Sequence, residues 1–406
     1  MTHLPGGATS IALMLAIVAA IAVVTSRLRI PYTVGLVIAG LLIGVIPHSQ
    51  AIELTPGLVL FVFLPPLLFD GGWSADVDEM RKNWAPISLL ATVGVLLGIL
   101  LSYILLVFVA HVPAQTALIF GAIVAATDPV AVLALFKAVR VNANLLSIVE
   151  GESLFNDGTS VVAFSVLLTV FASSGAGPKL GSALWQFIFI TAGGVAVGVF
   201  IGYAARLVIR LIADQVMVVA FVTAIVAYGA YFIADDLKVS GIMAVIAAAI
   251  VIAGSRSLGK LSADDRGKIS NFWAVVAFVA NTLLFLLIGA SIHIRDILAE
   301  WPDALVGIAA VLIGRLLIVR GLAPVSALLG RRLSSTWQNA IALAGMRGAL
   351  SMALVLSLPD DFPSRPLLIS MVFSVVLFTV VVQGSLLEPL LRFMGLTGAQ
   401  AGQPVA

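Results

Sequence analysis

Long apolar stretches separated by short polar segments make up almost all of this 406-residue chain. A helix that crosses a membrane needs about 20 mostly apolar residues, and thirteen stretches of this kind can be delimited. They are numbered here as spans 1 to 13: 9–26, 31–47, 53–70, 84–110, 115–138, 145–172, 182–212, 216–234, 239–254, 270–292, 302–330, 337–358 and 366–393. The pattern predicts an all-α polytopic membrane protein.

The composition excludes a soluble globular fold. Hydrophobic residues form 61% of the chain and charged residues 10%, whereas soluble domains carry about 25% charged residues. No compact soluble core could bury this much apolar surface. The chain has no cysteine, which excludes disulfides and thiolate–metal chemistry.

Basic residues alternate between the two sides of the predicted membrane. One set of loops carries most of them, including Arg81, Lys137 and Arg331, whereas the opposite loops carry few, such as Lys238 and Arg365. Cytoplasmic loops hold the excess of lysine and arginine in membrane proteins. The bias predicts a protein of the cell (inner) membrane with its N-terminus outside and its C-terminus in the cytoplasm.

Two spans are poorly suited to continuous helix. Span 5 contains Thr127-Asp128-Pro129, and span 12 contains Gly345-Met346-Arg347-Gly348. Proline removes a backbone donor and clashes with the preceding turn. Because the two spans are seven apart, they would cross in opposite directions, which predicts inverted repeats over spans 1–6 and 8–13 joined by span 7. Paired broken helices indicate a transporter site near the bilayer midplane, although each break alone could be a simple kink.

Carboxylates occur inside these apolar spans. An ionised carboxylate at the bilayer centre costs roughly 3 kcal/mol, so such groups handle ions or protons unless a buried partner neutralises them. Oxygen ligands suit hard cations, and the same oxygens can take up a proton. Competition between cation and proton at one site, exposed alternately to the two sides, is sufficient for antiport. The predicted cation- and proton-binding oxygens belong to Thr127, Asp128, Ser153, Asn156 and Asp157.

Glu152 needs a different account, because a buried charge without a partner is strongly unfavourable. Arg315 and Arg347 are the available intramembrane cations. We favour a structural Glu152–Arg315 pair, with Arg347 neutralising carbonyl ends at the span 12 break, although the two arginines could be exchanged. Asp157 would then be the carboxylate that exchanges its load, which predicts one cation per proton and electroneutral exchange.

Asp70 closes the run Phe63-Leu64-Pro65-Pro66-Leu67-Leu68-Phe69-Asp70 at the predicted cytoplasmic end of span 3. Two interpretations of this residue have equal weight. It could be a solvated helix cap, or it could belong to an acidic funnel that raises the local cation concentration.

These motifs, in this order, resemble those of sodium/proton antiporters of the NhaP/NHE type, within the monovalent cation:proton antiporter family. The resemblance implies an NhaA-like fold with two inverted six-helix repeats, an elevator-like motion and a homodimer. It also implies that Asp157 carries the cation and the proton, assisted by Asp128, Thr127 and Ser153, and that Glu152 pairs with Arg315. In that family an Asn-Asp pair, here Asn156-Asp157, marks electroneutral exchangers.

The resemblance also divides the chain into domains. The expected parts are dimerisation-domain helices at 1–83 and 213–292, core-domain helices at 84–172 and 293–394, a linker helix at 173–212 and a short cytoplasmic tail at 395–406. Regulation by partners that bind the tail is not expected.

The expected function is therefore secondary transport rather than enzymatic catalysis. The substrates would be Na⁺ or Li⁺ and H⁺, with the lipid bilayer as surroundings, no further cofactor and no nucleic acid. A K⁺/H⁺ antiporter of the same fold is the nearest alternative. More distant ones are a cation channel, an intramembrane aspartyl protease using Asp128 and Asp157, and a membrane scaffold whose buried charges only pair with one another.

Overall fold

The fold is known here from a computed structural model. It describes residues 21, 23, 25, 27, 32–44, 55–128, 130–172, 180–254, 262–291 and 300–396. Most of span 1 and nearly all of the predicted tail lie outside the described residues.

Helices occupy the positions of spans 2 to 13. In chain order they are Tyr32–Gly44, Leu58–Ser74, Trp84–Val109, Ala114–Ile123 with Val130–Ala138, Ala143–Ala172, Leu180–Leu211, Val216–Asp236, Gly241–Ala253, Ala263–Ser291, Trp301–Leu328, Ser335–Ala344 with Ala349–Leu356, and Arg365–Phe393. Helices suit these sequences because a peptide group in hydrocarbon must be hydrogen-bonded within its own segment.

Seven of the described helices are long and apolar enough to cross a membrane. The two halves of span 12 meet at a 46° bend and would together form an eighth crossing. Four further apolar helices, at spans 2, 3, 5 and 9, are shorter. The chain is thus a multi-pass membrane protein, and the full count of thirteen spans stays a prediction.

The contacts between helices fall into two groups. Spans 2, 3 and 7–10 pack mainly on one another and form the first helix group, whereas spans 4–6 and 11–13 form the second. Small residues let backbones approach closely in membrane proteins. A Cβ on Gly198 of span 7 would lie 2.1 Å from the Ala244 carbonyl of span 9, and one on Gly40 of span 2 would lie 2.2 Å from the Leu286 carbonyl of span 10.

Two helix ends near the site and one additional helix differ from the sequence prediction. Span 3 continues to Ser74, so Asp70 lies one turn before the helix end rather than at it. Span 10 begins at Ala263, because its polar first turns are helical but not apolar. A short helix, Val77–Lys82, follows span 3, and its start is capped by the Asp76 carboxylate, which accepts from the backbone N–H groups of Asp78 and Glu79.

Candidate functional site

The break in span 5 separates two short helices. The first ends at Ile123 and the second begins at Val130. Asp128 Oδ1 accepts a 3.0 Å hydrogen bond from the Val130 backbone N–H, so it satisfies a free donor at the start of the second helix. Asp128 is thus a structural residue of the break as well as a candidate ligand.

The breaks of spans 5 and 12 lie against each other. The Asp128 backbone N–H donates a 2.8 Å hydrogen bond to the Met346 carbonyl. Gly348 makes this approach feasible, since a Cβ there would lie 2.3 Å from Asp128 Oδ2 and 2.5 Å from Asp128 Cβ. No real side chain tolerates such distances, so the glycine is required by the neighbouring carboxylate.

Arg347 neutralises carbonyl ends, but not those of its own span. Its guanidinium donates to the carbonyl oxygens of Ala125 and Ala126, which follow the first helix of span 5. A helix C-terminus carries unsatisfied carbonyls and partial negative charge. The neutralised carbonyl ends thus belong to span 5, whereas Arg347 itself is part of the span 12 break. The backbone of Arg347 stays at that break, where its N–H donates to Thr379 Oγ1 at 3.1 Å.

Glu152 and Arg315 form a buried, bidentate ion pair. Arg315 Nη1 and Nη2 donate to the two carboxylate oxygens at 2.8 and 2.7 Å, and the side chains are 8% and 2% exposed for Arg315 and Glu152 respectively. Arg315 Nη2 also donates to the Ile341 carbonyl at 3.3 Å. Of the two alternatives left by the sequence, the structure has Glu152 with Arg315.

The side-chain amide of Asn156 is hydrogen-bonded to other protein groups at both its nitrogen and its oxygen. Its Nδ2 donates to the Ala125 carbonyl at 2.8 Å and to Thr127 Oγ1 at 3.2 Å, and its Oδ1 accepts from Ser160 at 2.9 Å. The sequence suggested this carbonyl oxygen as a cation ligand, but in this conformation it is already hydrogen-bonded. Asn156 instead supports the broken segment of span 5.

A cavity of about 430 Å³ extends to two of the carboxylates, Asp128 and Asp157. Four of the predicted ligands line it: Thr127, Asp128, Ser153 and Asp157. Ser153 Oγ donates to the Thr127 carbonyl at 2.6 Å and accepts from Thr127 Oγ1 at 3.2 Å. Glu152, Arg315, Arg347 and Asn156 do not line it, so the cavity separates candidate ligands from their supports.

Asp157 has one carboxylate oxygen that no described protein group satisfies. Its Oδ1 is buried and has no hydrogen-bond partner among the described residues. Buried polar atoms are almost always paired, so this oxygen is an exception in a residue that lines the cavity.

The same cavity is lined by polar residues other than the predicted ligands. Asp70, Ser74, Lys137 and Glu150 also line it, and of these only Asp70 was a candidate. Glu150 and Asp157 are seven residues apart, which places them on one helix face two turns apart. That spacing could have pointed to Glu150. Nowhere in the described part of the chain do three or more His, Cys, Asp or Glu side chains form a group able to hold a resident metal.

Comparison with known proteins identifies the family. The model of the family "Sodium/hydrogen exchanger, transmembrane" matches residues 13–393. The Na⁺/H⁺ antiporter ApNhaP of Aphanothece halophytica is 36% identical over 92% of this chain and 71% of its own length. The Na⁺/H⁺ antiporter NhaG of Bacillus atrophaeus is 34% identical over 95% and 75%.

A solved structure shares the fold. The structure of the sodium proton antiporter MjNhaP1 from Methanocaldococcus jannaschii at pH 8 superimposes with a TM-score of 0.75 at 24% identity, covering 95% of this chain and 97% of that one. The resemblance predicted from the motifs is confirmed, and the protease alternative is excluded. The chain belongs to the sodium/hydrogen exchanger family and is a membrane transporter, not an enzyme.

Proposed function

We propose that this protein exchanges Na⁺, or Li⁺, for H⁺, and that both ions bind in turn at Asp157. One observation carries the proposal. Asp157 lines the cavity with a buried oxygen that lacks a hydrogen bond, whereas both oxygens of Glu152 are held by Arg315. A carboxylate with one oxygen free of protein partners can take up and release an ion without first breaking the fold. The named relatives, which are Na⁺/H⁺ antiporters, support sodium as the substrate.

Asp128, Thr127 and Ser153 would complete the cation site from the broken segment and from the preceding turn of span 6. All three line the cavity beside Asp157. Hydroxyl and carboxylate oxygens suit a small hard cation, and both Asp157 and Asp128 can accept a proton when the cation leaves. Cation and proton then compete for the same oxygens.

The charges of the site support a one-to-one exchange. Asp128, Asp157 and Glu152 are three buried or half-buried acids, and Arg315 and Arg347 are the two buried cations beside them. With all five ionised, one negative charge remains. A single Na⁺ or a single H⁺ neutralises it, so either loaded form can cross with no net charge, whereas the empty form is an uncompensated buried anion.

The arrangement of the helices supports alternating access by an elevator-like motion. The cavity lies between the two helix groups, because Tyr32 and Phe278 come from the first group and Asp128 and Asp157 from the second. We assign the first group to a dimerisation domain and the second to a moving core domain, related by inverted repeats, in a homodimer. The cavity contains Lys137, which the charge bias places on the cytoplasmic side, so this conformation would face inward.

The test is cation-driven pH change in proteoliposomes. Wild type is compared with Asp157→Asn using sodium, lithium and potassium pulses, the sodium and lithium pulses with and without a potassium/valinomycin clamp. The control variant is Asp360→Asn, because the Asp360 side chain is 98% exposed. We expect sodium-dependent proton flux in wild type and in the control, no flux in Asp157→Asn, and no effect of the clamp.

Other outcomes are equally informative. Flux driven by potassium alone would keep the mechanism but establish the K⁺/H⁺ alternative. Flux that changes with the clamp would overturn the one-to-one stoichiometry. Flux that persists in a folded Asp157→Asn protein would remove Asp157 from the carrier role.

A further inference from the structure

Glu150 is a second acid of the cavity that the transport cycle proposed above does not use. It lies on span 6, two turns before Asp157, and is 9% exposed. It lines the cavity, yet its carboxylate makes no hydrogen bond or ion pair with any residue that the structure describes. A carboxylate buried to this degree is costly without a partner, and a partner that arrives through the cavity would satisfy it.

The surroundings of Glu150 are those of a cation site. Asp70 and Ser74, one turn apart on span 3, line the cavity with it. The charges of Asp70 and Asp76 both act on Glu150. Carboxylate and hydroxyl oxygens from two different helices thus face one space, which is the chemistry that a hard monovalent cation requires.

Lys137 lies on the same cavity wall and completes the charge pattern. Its ammonium acts electrostatically on both Asp70 and Glu150 but lies outside ion-pair distance of either. Two carboxylates facing one lysine leave one negative charge, which one monovalent cation would neutralise. The charge of Lys137 would weaken the binding of an incoming cation, although its ammonium does not contact the carboxylates.

We propose that Glu150 and Asp70, with the Ser74 hydroxyl, form a second monovalent-cation site on the path between the cytoplasm and Asp157. The proposal rests on the proposed function for the identity of the ion. Asp70 belongs to the first helix group and Glu150 to the second. The site is therefore complete only in the conformation in which the two groups pack as they do here. It therefore serves cations that enter or leave on the cytoplasmic side.

Equilibrium binding of ²²Na⁺ to the purified full chain tests the site directly. The variants are Asp157→Asn, Glu150→Gln and the double substitution, with Glu388→Gln as control, since Glu388 is exposed and paired with Arg392. We expect two Na⁺ per chain in wild type and control, one in each single variant and none in the double variant. Equal binding by Asp157→Asn and the double variant would overturn the proposal.

Transport kinetics supply a second readout with opposite signs. Glu150→Gln should raise the apparent KM for cytoplasmic Na⁺ roughly tenfold, since a charged cavity concentrates its counter-ion by such factors, with little change in kcat. Lys137→Gln should lower the same KM. If Glu150 had only a structural role, Lys137→Gln would leave KM unchanged. An unchanged KM in Lys137→Gln would therefore contradict the proposed cation site.

The two proposals fail in distinguishable ways. Na⁺ binding that depends on Glu150, without any sodium-driven proton flux in wild type, would overturn the exchange activity and leave the second site standing. Normal flux with unchanged binding and KM in Glu150→Gln would overturn the second site alone.

Discussion

Glu152 and Asp157 are carboxylates less than two turns apart on one buried helix, but their surroundings differ. Both oxygens of Glu152 accept from Arg315, and the pair is sealed from solvent. Asp157 opens onto a cavity with one oxygen unpartnered among the described residues. Burial alone therefore does not distinguish the carboxylate that we propose as the ion carrier from the one that we propose as structural. The unpartnered oxygen of Asp157 is what separates them.

The same contrast divides the whole site into a support and a rim. The support consists of Glu152 and Arg315, which pair with each other, and of Arg347, which donates to carbonyl groups. The rim consists of the cavity-lining oxygens of Asp157 and its neighbours. Substitutions in the support should act on folding, and substitutions in the rim should act on ion affinity.

The largest effect on stability is expected at the support. Glu152→Gln leaves the Arg315 charge buried without a carboxylate, which should destabilise the protein by about 3–5 kcal/mol. Asp157→Asn should leave stability unchanged or raise it, because it removes an unpartnered charge. Thermal unfolding of both variants in the same detergent measures the difference. Equal shifts of the unfolding temperature in the two variants would contradict the distinction between support and rim.

A smaller effect is expected where the support meets the rim. Gly348→Ala would place a Cβ 2.3 Å from Asp128 Oδ2, so the carboxylate or the break must move, at a cost of about 1–3 kcal/mol. We also expect a raised KM for the cation. Gly321→Ala is the matched control, since a Cβ there meets nothing within 4 Å. A Gly348→Ala variant with the stability and KM of the control would contradict the close packing of the two breaks.

A still smaller effect is expected for a single rim hydroxyl. Ser153→Ala removes the 2.6 Å hydrogen bond to the Thr127 carbonyl, which is worth about 1 kcal/mol. The apparent KM for Na⁺ should rise several-fold while kcat changes little. Thr169→Ala serves for comparison, because that exposed hydroxyl donates to the Ser165 carbonyl of its own helix and does not line the cavity. If both variants transport alike, Ser153 is not part of the rim.

The smallest effect is expected at an exposed ion pair. Lys268 and Asp264 are 2.6 Å apart, with side chains 58% and 78% exposed. Solvent screens such pairs, so Asp264→Asn should change the free energy of unfolding by less than about 0.5 kcal/mol. A loss as large as that of Glu152→Gln would show that distance, rather than burial, sets the strength of these pairs.

The sequence was sufficient to predict the features that depend on local residue type. Apolar runs of sufficient length mark the helices, and Thr127-Asp128-Pro129 and Gly345 to Gly348 mark the interruptions, because the causes are local. The family follows from the same motifs and is confirmed. Helix ends were less predictable, as at Ser74 and Ala263, since polar turns outside the apolar run can remain helical.

Contacts across the fold could not be predicted in the same way. The sequence offers Glu152 two arginines of equal chemistry, and only the placement of spans 6 and 11 distinguishes them. The carbonyls that receive the Arg347 guanidinium belong to two alanines, whose side chains carry no sign of that role. The seven-residue spacing places Glu150 on the same face of span 6 as Asp157, but no local pattern specifies that Asp70 of span 3 lines the same cavity.

The link between the two broken segments is made by peptide groups, from the Asp128 N–H to the Met346 carbonyl. Any amino acid except proline supplies that donor, and every amino acid supplies that acceptor. Side-chain substitutions other than proline at these two positions would therefore leave this hydrogen bond in place, and saturation mutagenesis with them would not detect it. Its contribution would be exposed by chemistry on the main chain itself, such as replacing the amide at position 128 by an ester.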